Sequence, residues 1–509
     1  MSPAREAGFP LARLLAGWAE IPADCASAVG GLCHDSRRLR PGDLFFALAG
    51  SRAHGMAHAA QAAAMGACAI VYDPARGGAE LALADFGIPC FPVARLSQAM
   101  GLIADRFFGE PSLRLRVLGV TGTNGKTSCS HFLADVLRPD SPSAVIGTLG
   151  WGAPGALRPT SHTTPDAIEA HGLLASLLAE GFNCVAMEAS SHGLDQGRLN
   201  GVRFAGALFT NLSRDHLDYH QSMEAYLAAK LRLVDWPGLA FVVFNADDAS
   251  AAAIVARAGS GTRKIGFSLL ETSVPYAGVE IVRASAVRHG QDGIAFDVHV
   301  AGQCAHVFAP LYGDFNVENL LGVLGVLLAL GLGLDEAARR LAHVRAVPGR
   351  MERFAAPTGP AVVVDYAHTP DALHKALASL RRHCRGVLSV VFGCGGDRDR
   401  GKRPQMGVVA ETWADRVVLT DDNPRSEDGD AIISDILDGC VRQDATVIRD
   451  RRLAIRWALE RLGPDDVLLV AGKGHEDSQD IGGEKHPFSD RLVVRQLLGL
   501  PEEEMAACA

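Results

Sequence analysis

Short apolar runs recur along this chain, and from residue 117 onward nearly every one hands over to small or polar residues. The first series reads "VLGVTGTNGKT", "AVIGTLG", "CVAMEASSHG", "GALFTNLSRDH" and "AFVVFNADD", with helix-periodic segments between several of them. Strand, polar loop and helix in repetition predict a parallel α/β sheet. A second series begins near 347: "AVVVDYAHTPDAL" (361–373), "VLSVVFGCGGDRDRGKRP" (387–404), "RVVLTDDNPRSED" (416–428) and "DVLLVAGKGHED" (466–477). Such sheets bind ligands beyond the carboxyl ends of their strands, where the polar residues of both series concentrate. Ahead of them lies an Ala-rich stretch in which the turn signal "PGD" precedes a short buried strand, "LFFAL" (44–48), as in a small α/β domain. "FFGEPSLRLR" (107–116) and "RAVPGRMERF" (345–354) read as connections. The expected organisation is three α/β domains, 1–110, 111–346 and 347–509. The run "LLGVLGVLLALGLGL" (320–334) is shorter than the ~20 residues of a membrane span and predicts a buried core helix.

Composition narrows the picture. A chain of 509 residues exceeds one ordinary core, and about three domains fit domains of ~100–200 residues. The 49 basic against 58 acidic residues leave a net charge of −9, without the basic footprint that nucleic acid requires. Eleven scattered cysteines lack a CxxC pair, which speaks against a zinc site or a disulfide framework and for a reducing compartment. The N-terminal segment has no clean apolar core ahead of a cleavage site. The expectation is a soluble cytoplasmic monomer, with no nucleic-acid partner and no membrane insertion.

The chemistry starts at "GVTGTNGKTS" (119–128), between the strand "RVLGV" and the helical pattern "CSHFLADVL". Glycines let backbone N–H groups face a phosphate, the helix start adds partial positive charge, Lys126 reaches the outer phosphates and the Thr127 hydroxyl can ligate Mg²⁺. Val120 stands where the usual phosphate loop carries its first glycine. The spelling "TGTNGKT" resembles the Mur ligase family, ATP-dependent enzymes that build the peptidoglycan stem peptide. "MEASSHGLDQGRL" (187–199), "TNLSRDHLDYH" (210–220), "YGDFNVENLLG" (312–322), "VPGRMERF" (347–354), "DYAHTPDAL" (365–373), "GCGGDRDRGKRP", "DNPRSED" and "AGKGHED" match it in order over nearly the whole chain.

The resemblance implies a UDP-binding N-terminal domain, a central P-loop ATPase-like domain and a Rossmann-like C-terminal domain. It also implies a carboxylate phosphorylated by ATP, then attacked by an amine. Gly122, Thr123, Asn124, Gly125, Lys126, Thr127 and Ser128 would hold ATP, joined by Asn319, Arg350, Asp365 and His368. Lys126, Glu188, His216 and Lys230 would be catalytic. The metal would rest on Thr127, Glu188, His216 and Lys230, the last as a carbamate. Spacing alone reads Lys230 as a solvated helix lysine, in "EAYLAAKLRLVDW". Carbamylation would require a neutral amine and a depressed pKa. The UDP-muramyl dipeptide would meet His34, Ser36, Ser51, Arg52, Ala53, Thr163, Thr164, Ser190, Gln196 and Arg198. Ser36 reads equally as a turn or cap residue, and Thr163 and Thr164 as caps for the helix "PDAIEAHGLLASLLAE". His162 departs from the family's expected asparagine.

The mixed charges of "LTDDNPRSED" (419–428) fit the branch of the family that adds meso-diaminopimelate, whose far end carries both an ammonium and a carboxylate. Arg425 offers a bidentate fork and Asn423 bonds either charge. Arg398, Asp422, Pro424, Gly472 and Glu476 complete the expected pocket. The Asn-Pro pair favours extended backbone that would aim Arg425, an arginine that a lysine-adding relative is expected to lack. A folate-polyglutamylating enzyme and a nucleotide-binding scaffold without turnover are the rival readings.

Overall fold

The structure is a computed structural model and describes residues 8–25, 27–50, 53–270, 276–290, 292–356 and 359–501. The chain divides into two compact units, Met1–Gly266 with Val274–Val279, and Phe267–Ser273 with Glu280–Ala509.

The first unit carries a four-stranded parallel sheet, β1 (Gly31–Cys33), β2 (Asp43–Ala47), β3 (Ala69–Tyr72) and β4 (Cys90–Pro92), in that order. All five residues of β2 are buried, as "LFFAL" predicted. Helix α1 (Leu96–Phe107) packs Leu96, Met100 and Ile103 into this core. The larger sheet follows, with β5 (Arg116–Thr121), β6 (Ser143–Gly147), β7 (Gly150–Ala153), β8 (Ala156–Arg158), β9 (Cys184–Glu188), β10 (Phe204–Phe209), β11 (Phe241–Asn245) and β12 (Arg263–Ser268). Its order is β8-β7-β6-β9-β5-β10-β11-β12, and β6, β9, β5, β10 and β11 run parallel. Helices α2 (Lys126–Leu137), α3 (Ala167–Ala179) and α4 (Met223–Leu231) intervene. Strand order reverses on either side of β5, which makes its carboxyl end a switch point where a ligand crevice forms.

Val120 is explained by register. It is the fifth residue of β5, fully buried and paired with Glu188 on one side and Leu208 on the other, so the chain is still strand there and needs no glycine. Gly122 begins the turn, at φ +144, and a Cβ there would lie 1.9 Å from the Thr210 hydroxyl.

In the second unit β13 (Val279–His289), β14 (Ile294–Val300) and β15 (Gln303–Ala309) pair antiparallel. Helix α5 (Asp314–Ala329) is buried as expected but begins earlier and ends sooner than the apolar run, because Gly331 takes the left-handed conformation (φ +94) that closes a helix. A six-stranded sheet follows, from β16 (Glu352–Ala355), β17 (Ala361–Asp365), β18 (Leu388–Phe392), β19 (Arg416–Leu419), β20 (Thr446–Val447) and β21 (Val467–Ala471), in the order β16-β17-β21-β18-β19-β20. Only β16 is antiparallel to its neighbour. It is the end of the expected connection, drawn into the sheet edge where buried Glu352 accepts from the Arg491 guanidinium at 2.8 Å. Helices α6 (Pro370–His383), α7 (Lys402–Trp413), α8 (Arg451–Leu459) and α9 (Asp490–Leu497) cover the sheet. Among the described residues no helix is long and apolar enough to cross a membrane.

One ion pair ties two of these helices together. Arg451 at the start of α8 and Asp490 at the start of α9 are both solvent-free, joined by two bonds of 2.7 Å, and Arg451 also donates to the Ala471 carbonyl at 2.8 Å. Removing one partner strands the other charge in the interior. Arg451→Ala is therefore expected to destabilise the second unit by about 3–5 kcal/mol, read as a lowered urea midpoint, with a smaller loss when both residues become apolar.

Candidate active site

In the first unit the phosphate loop is clamped from β10. The Thr123 N–H donates to the Asn211 carbonyl and the Asn124 N–H to the Asn211 side-chain oxygen, both at 2.9 Å, while the Thr210 hydroxyl donates to the Asn124 carbonyl at 2.5 Å. Gly125 (φ +83) precedes α2, and Lys126 is the first residue of the helix. Its ammonium folds back onto the carbonyls of Gly122 and Thr123, at 2.9 and 2.8 Å. Thr127 and Ser128 complete the first turn.

Glu188, the last residue of β9, is 1% exposed. It accepts from the Thr127 hydroxyl at 3.1 Å, the Thr148 N–H at 2.9 Å and the Thr148 hydroxyl at 3.1 Å. Burial pushes its carboxyl above the ordinary range, against the opposing pull of Lys126 and these donors. Gly147 makes room for it, since a Cβ there would lie 2.1 Å from Oε1. A buried carboxylate beside a threonine hydroxyl is a hard-oxygen pair of the kind Mg²⁺ selects, so these residues fit the metal. The third expected ligand, His216, itself takes the left-handed conformation (φ +53); its half-exposed imidazole lies 3.5 Å from Asp215 and packs edge-on against His192 at 4.9 Å.

Lys230 is not a solvated helix lysine. It is 2% exposed on α4, donates to the Gly122 carbonyl at 2.8 Å and has its ammonium 4.5 Å from the centre of the Tyr226 ring. Burial, reinforced by Lys126, holds its pKa well below the lysine range.

The expected dipeptide residues adjoin this group. Thr163 and Thr164 do not cap α3: Asp166 does, accepting from the N–H groups of Ile168 and Glu169. The Thr163 hydroxyl meets that of Thr148 at 3.1 Å. Thr164 donates to the Glu188 carbonyl at 2.8 Å and accepts the Ser190 N–H at 2.9 Å. Arg198 bonds the Thr164 carbonyl at 2.9 Å and holds the Gln196 side-chain oxygen through two nitrogens. Exposed His162 touches the Ser161 hydroxyl at 3.0 Å. His34 pairs with Asp166 at 3.1 Å, a bond that raises its pKa against burial. Ser36 is buried and donates to Gln61 at 2.9 Å, the local cap being Asp35. Ala53 is exposed. Ser51 and Arg52 lie outside the described residues.

The second unit carries two further groups. Asn319, buried in α5, donates to Asn316 at 3.0 Å, and Asn316 to the Tyr312 carbonyl at 2.7 Å. Arg350 stacks on Tyr366 at 4.4 Å. Asp365 accepts the Met351 and Ala367 N–H groups at 2.7 and 2.8 Å; burial raises its pKa, with Arg350 opposing. His368 is exposed and turns back to the Tyr366 carbonyl at 2.9 Å.

Beyond β18, β19 and β21, three loops converge. The Arg425 guanidinium donates to the Gly396 carbonyl at 2.7 Å, and the Gly396 N–H donates to the Asn423 carbonyl at 2.9 Å. A Cβ on Gly395 would lie 2.8 Å from Arg425 Nη1 and 3.6 Å from Arg398 Cγ, so the two arginines flank one glycine. Buried Pro424 packs its carbonyl on Gly396, and Arg425 itself adopts φ +52, held by its N–H on the Asp480 carbonyl at 3.0 Å. Asn423 donates to Glu476 Oε2 at 2.9 Å. Asp422 lies beneath, 6% exposed, with its pKa raised by burial against Arg451 and Lys473. Gly472, at φ +114, leaves it room.

Several participants were not singled out from sequence. Thr148, Thr210 and Asn211 follow strands β6 and β10 as short polar tails, which is the one signal that marks them. Tyr226 bonds Thr123 at 3.1 Å across about a hundred residues of chain, a contact no local pattern encodes.

Three family models match: the Mur ligase catalytic domain at 28–108, the Mur ligase middle domain at 120–327 and the Mur ligase glutamate ligase domain at 349–474. A relative from Alkalilimnicola ehrlichii, named UDP-N-acetylmuramoyl-L-alanyl-D-glutamate–2,6-diaminopimelate ligase, is 49% identical, covering 97% of this chain and 99% of its own. One of the same name from Xanthomonas campestris is 48% identical over 92% and 94% of the two chains. A solved structure titled as that ligase superposes with a TM-score of 0.72 at 34% identity, covering 97% of this chain and 98% of its own. A folylpolyglutamate synthase from Mycobacterium tuberculosis shares the fold, with a TM-score of 0.59 at 16% identity over 79% of this chain and 95% of its own. With its phosphate loop, buried carboxylate and three matched domains, the chain belongs to the Mur ligase family.

Proposed function

We propose that this protein joins meso-2,6-diaminopimelate to the γ-carboxylate of the D-glutamate of UDP-N-acetylmuramoyl-L-alanyl-D-glutamate, using ATP, in cytoplasmic synthesis of peptidoglycan precursors. The observation that carries the amino-acid choice is the loop cluster around Asn423, Arg425 and Glu476. It offers cationic and amide donors beside a carboxylate, the complement of an end bearing both charges. Relatives of that name over nearly the full length support the same reading. The tasks divide as UDP-muramyl recognition in 1–110, ATP chemistry in 111–346 and amino-acid capture in 347–509, and the enzyme acts as a monomer without a nucleic-acid partner.

A carboxylate is a poor electrophile and must meet a second anion, the γ-phosphate, so cation charge and positioning carry much of the catalysis. Lys126 and the N–H groups of the loop from Gly122 to Ser128 take the phosphates. Thr127, Glu188 and His216 would hold Mg²⁺, with Lys230 contributing as a carbamate. Bound Mg²⁺ supplies charge neutralisation between the transferring phosphoryl group and its acceptor. Asn319, Arg350, Asp365 and His368 address the nucleotide. Arg198 meets the dipeptide carboxylate, and the resulting acyl phosphate is attacked by the amine at the opposite end of the diaminopimelate, whose far end the Arg425 cluster holds, releasing phosphate. The depressed basicity of Lys230 favours the neutral amine that attack on CO₂ requires.

Phosphate release with the UDP-muramyl dipeptide is expected with meso-diaminopimelate and not with L-lysine. Arg425→Ala is expected to raise KM for diaminopimelate roughly 10–150-fold, as loss of a hydrogen bond to charge worth about 1.5–3 kcal/mol implies. Equal use of lysine would overturn the amino-acid assignment, and absence of ATP turnover with either would overturn the ligase. Carbamylation is read separately. With ¹³C-bicarbonate, wild type is expected to give a carbamate resonance absent in Lys230→Arg. The resonance should fade as pH falls, because protonation of the amine removes the nucleophile; a spectrum without it in wild type would refute the modification.

A further inference from the structure

Lys473 has no side-chain exposure to solvent, yet it was assigned no role by the chemistry above. Its ammonium donates to Asn423 Oδ1 at 3.0 Å and Glu476 Oε2 at 2.8 Å, and lies 3.8 Å from Asp422 Oδ1. Asn423 Oδ1 accepts a second donor, the Asp480 N–H, at 3.0 Å, while Nδ2 faces Glu476 Oε2 at 2.9 Å. Rotating the amide by half a turn would set its NH₂ against an ammonium and a backbone N–H, and its oxygen against a carboxylate. The network therefore admits one amide orientation. Two donors also converge on Oε2 of Glu476. Among the described residues no hydrogen bond reaches Oε1, and the side chain is 32% exposed.

We propose that Lys473 is a positioning residue that sets the polarity of the amino-acid site: it turns Asn423 so that an N–H is left for the ligand's carboxylate, and pins Glu476 by one oxygen so that the other is left for the ligand's ammonium. The inference rests on the diaminopimelate reading and adds to it how the site distinguishes a zwitterionic end from a bare ammonium. A buried lysine is costly unless paired, and here its compensation comes from the two side chains that read the ligand. Burial would raise the Glu476 carboxyl; the Lys473 ammonium and the Asn423 amide outweigh it and hold the group below its ordinary range. The other charges acting with Glu476 are His475 beside it, Asp422, Arg451 and Tyr366.

The test compares wild type, Lys473→Met, Lys473→Arg and Asn423→Asp by steady-state kinetics in all three substrates. Wild-type turnover of diaminopimelate is the control that keeps the amino-acid reading separate: if it is absent, that reading fails, whatever the variants do. With it present, Lys473→Met is expected to raise KM for diaminopimelate about 10–100-fold, with KM for ATP and the UDP-muramyl dipeptide unchanged and selectivity over L-lysine reduced. Its KM for diaminopimelate should climb further as pH falls through the mildly acid range, where Glu476, without its ammonium, takes a proton; wild type should stay flat there. Lys473→Arg retains charge and donors and should recover part of the loss. Asn423→Asp keeps the lysine's partner but replaces the ligand-facing donor, and should show the same selective rise even if Lys473→Met does not fold. An unchanged diaminopimelate KM in the folded variants, or parallel loss for all three substrates with no new pH dependence, would overturn the proposal.

Discussion

Glu188 is a carboxylate held almost out of water at the end of a central strand, and much of the first unit is arranged around keeping it there. Gly147 gives up a side chain to admit it, Thr127 and Thr148 donate to it, and Thr164 ties its carbonyl to the N–H of Ser190. An unpaired buried charge is expensive, so these donors offset the cost of keeping it there. The same threonines connect the phosphate loop to the segment read as the dipeptide site, through Thr148 and Thr163. A single hydrogen-bonded chain, Thr127–Glu188–Thr148–Thr163, thus joins the two segments.

The cations nearby follow the same logic. Lys126 and Lys230 both donate to the Gly122 carbonyl, and the charge of Lys126 disfavours that of Lys230. Lys126 is folded onto the loop at the helix start, on the carbonyls of Gly122 and Thr123. Lys230, enclosed by Tyr226 and α4, is driven toward the neutral amine. For Lys230 burial is the larger cause and the charge of Lys126 the smaller one.

The second unit solves a different problem, holding both charge signs close together without collapse. Arg425 and Arg398 flank Gly395, and the "DNPR" loop is stitched to "GGDRDR" through Gly396 and to the β21 loop through Asn423 and Glu476. Beneath them lie Asp422, Lys473, Arg451 and Asp490, a buried layer of alternating charge. Such a layer contributes little net stability, but it restricts the rotamers above it.

Periodicity and loop chemistry by themselves determined a good deal. Alternation of apolar runs with polar tails located the central strands β5, β6, β9, β10 and β11 and the later β17, β18, β19 and β21, because strand burial and carboxyl-end ligand loops are local properties. The motif "TGTNGKT" marked the phosphate loop for the same reason: its glycines and its helix start lie in consecutive residues. What lay beyond local pattern was every property that depends on neighbours distant in the chain. Lys230 reads as solvated until Gly122 and Tyr226 enclose it. Thr163 and Thr164 read as helix caps until Asp166 takes that place and Glu188 comes within reach. The contacts of Arg425 with Gly396 and Asp480 likewise come from segments distant in the chain. Lys473 carries no signal at all apart from its motif. Burial, pKa and amide orientation are set by the dielectric and hydrogen-bond partners that packing assembles, and only the tertiary structure decided those.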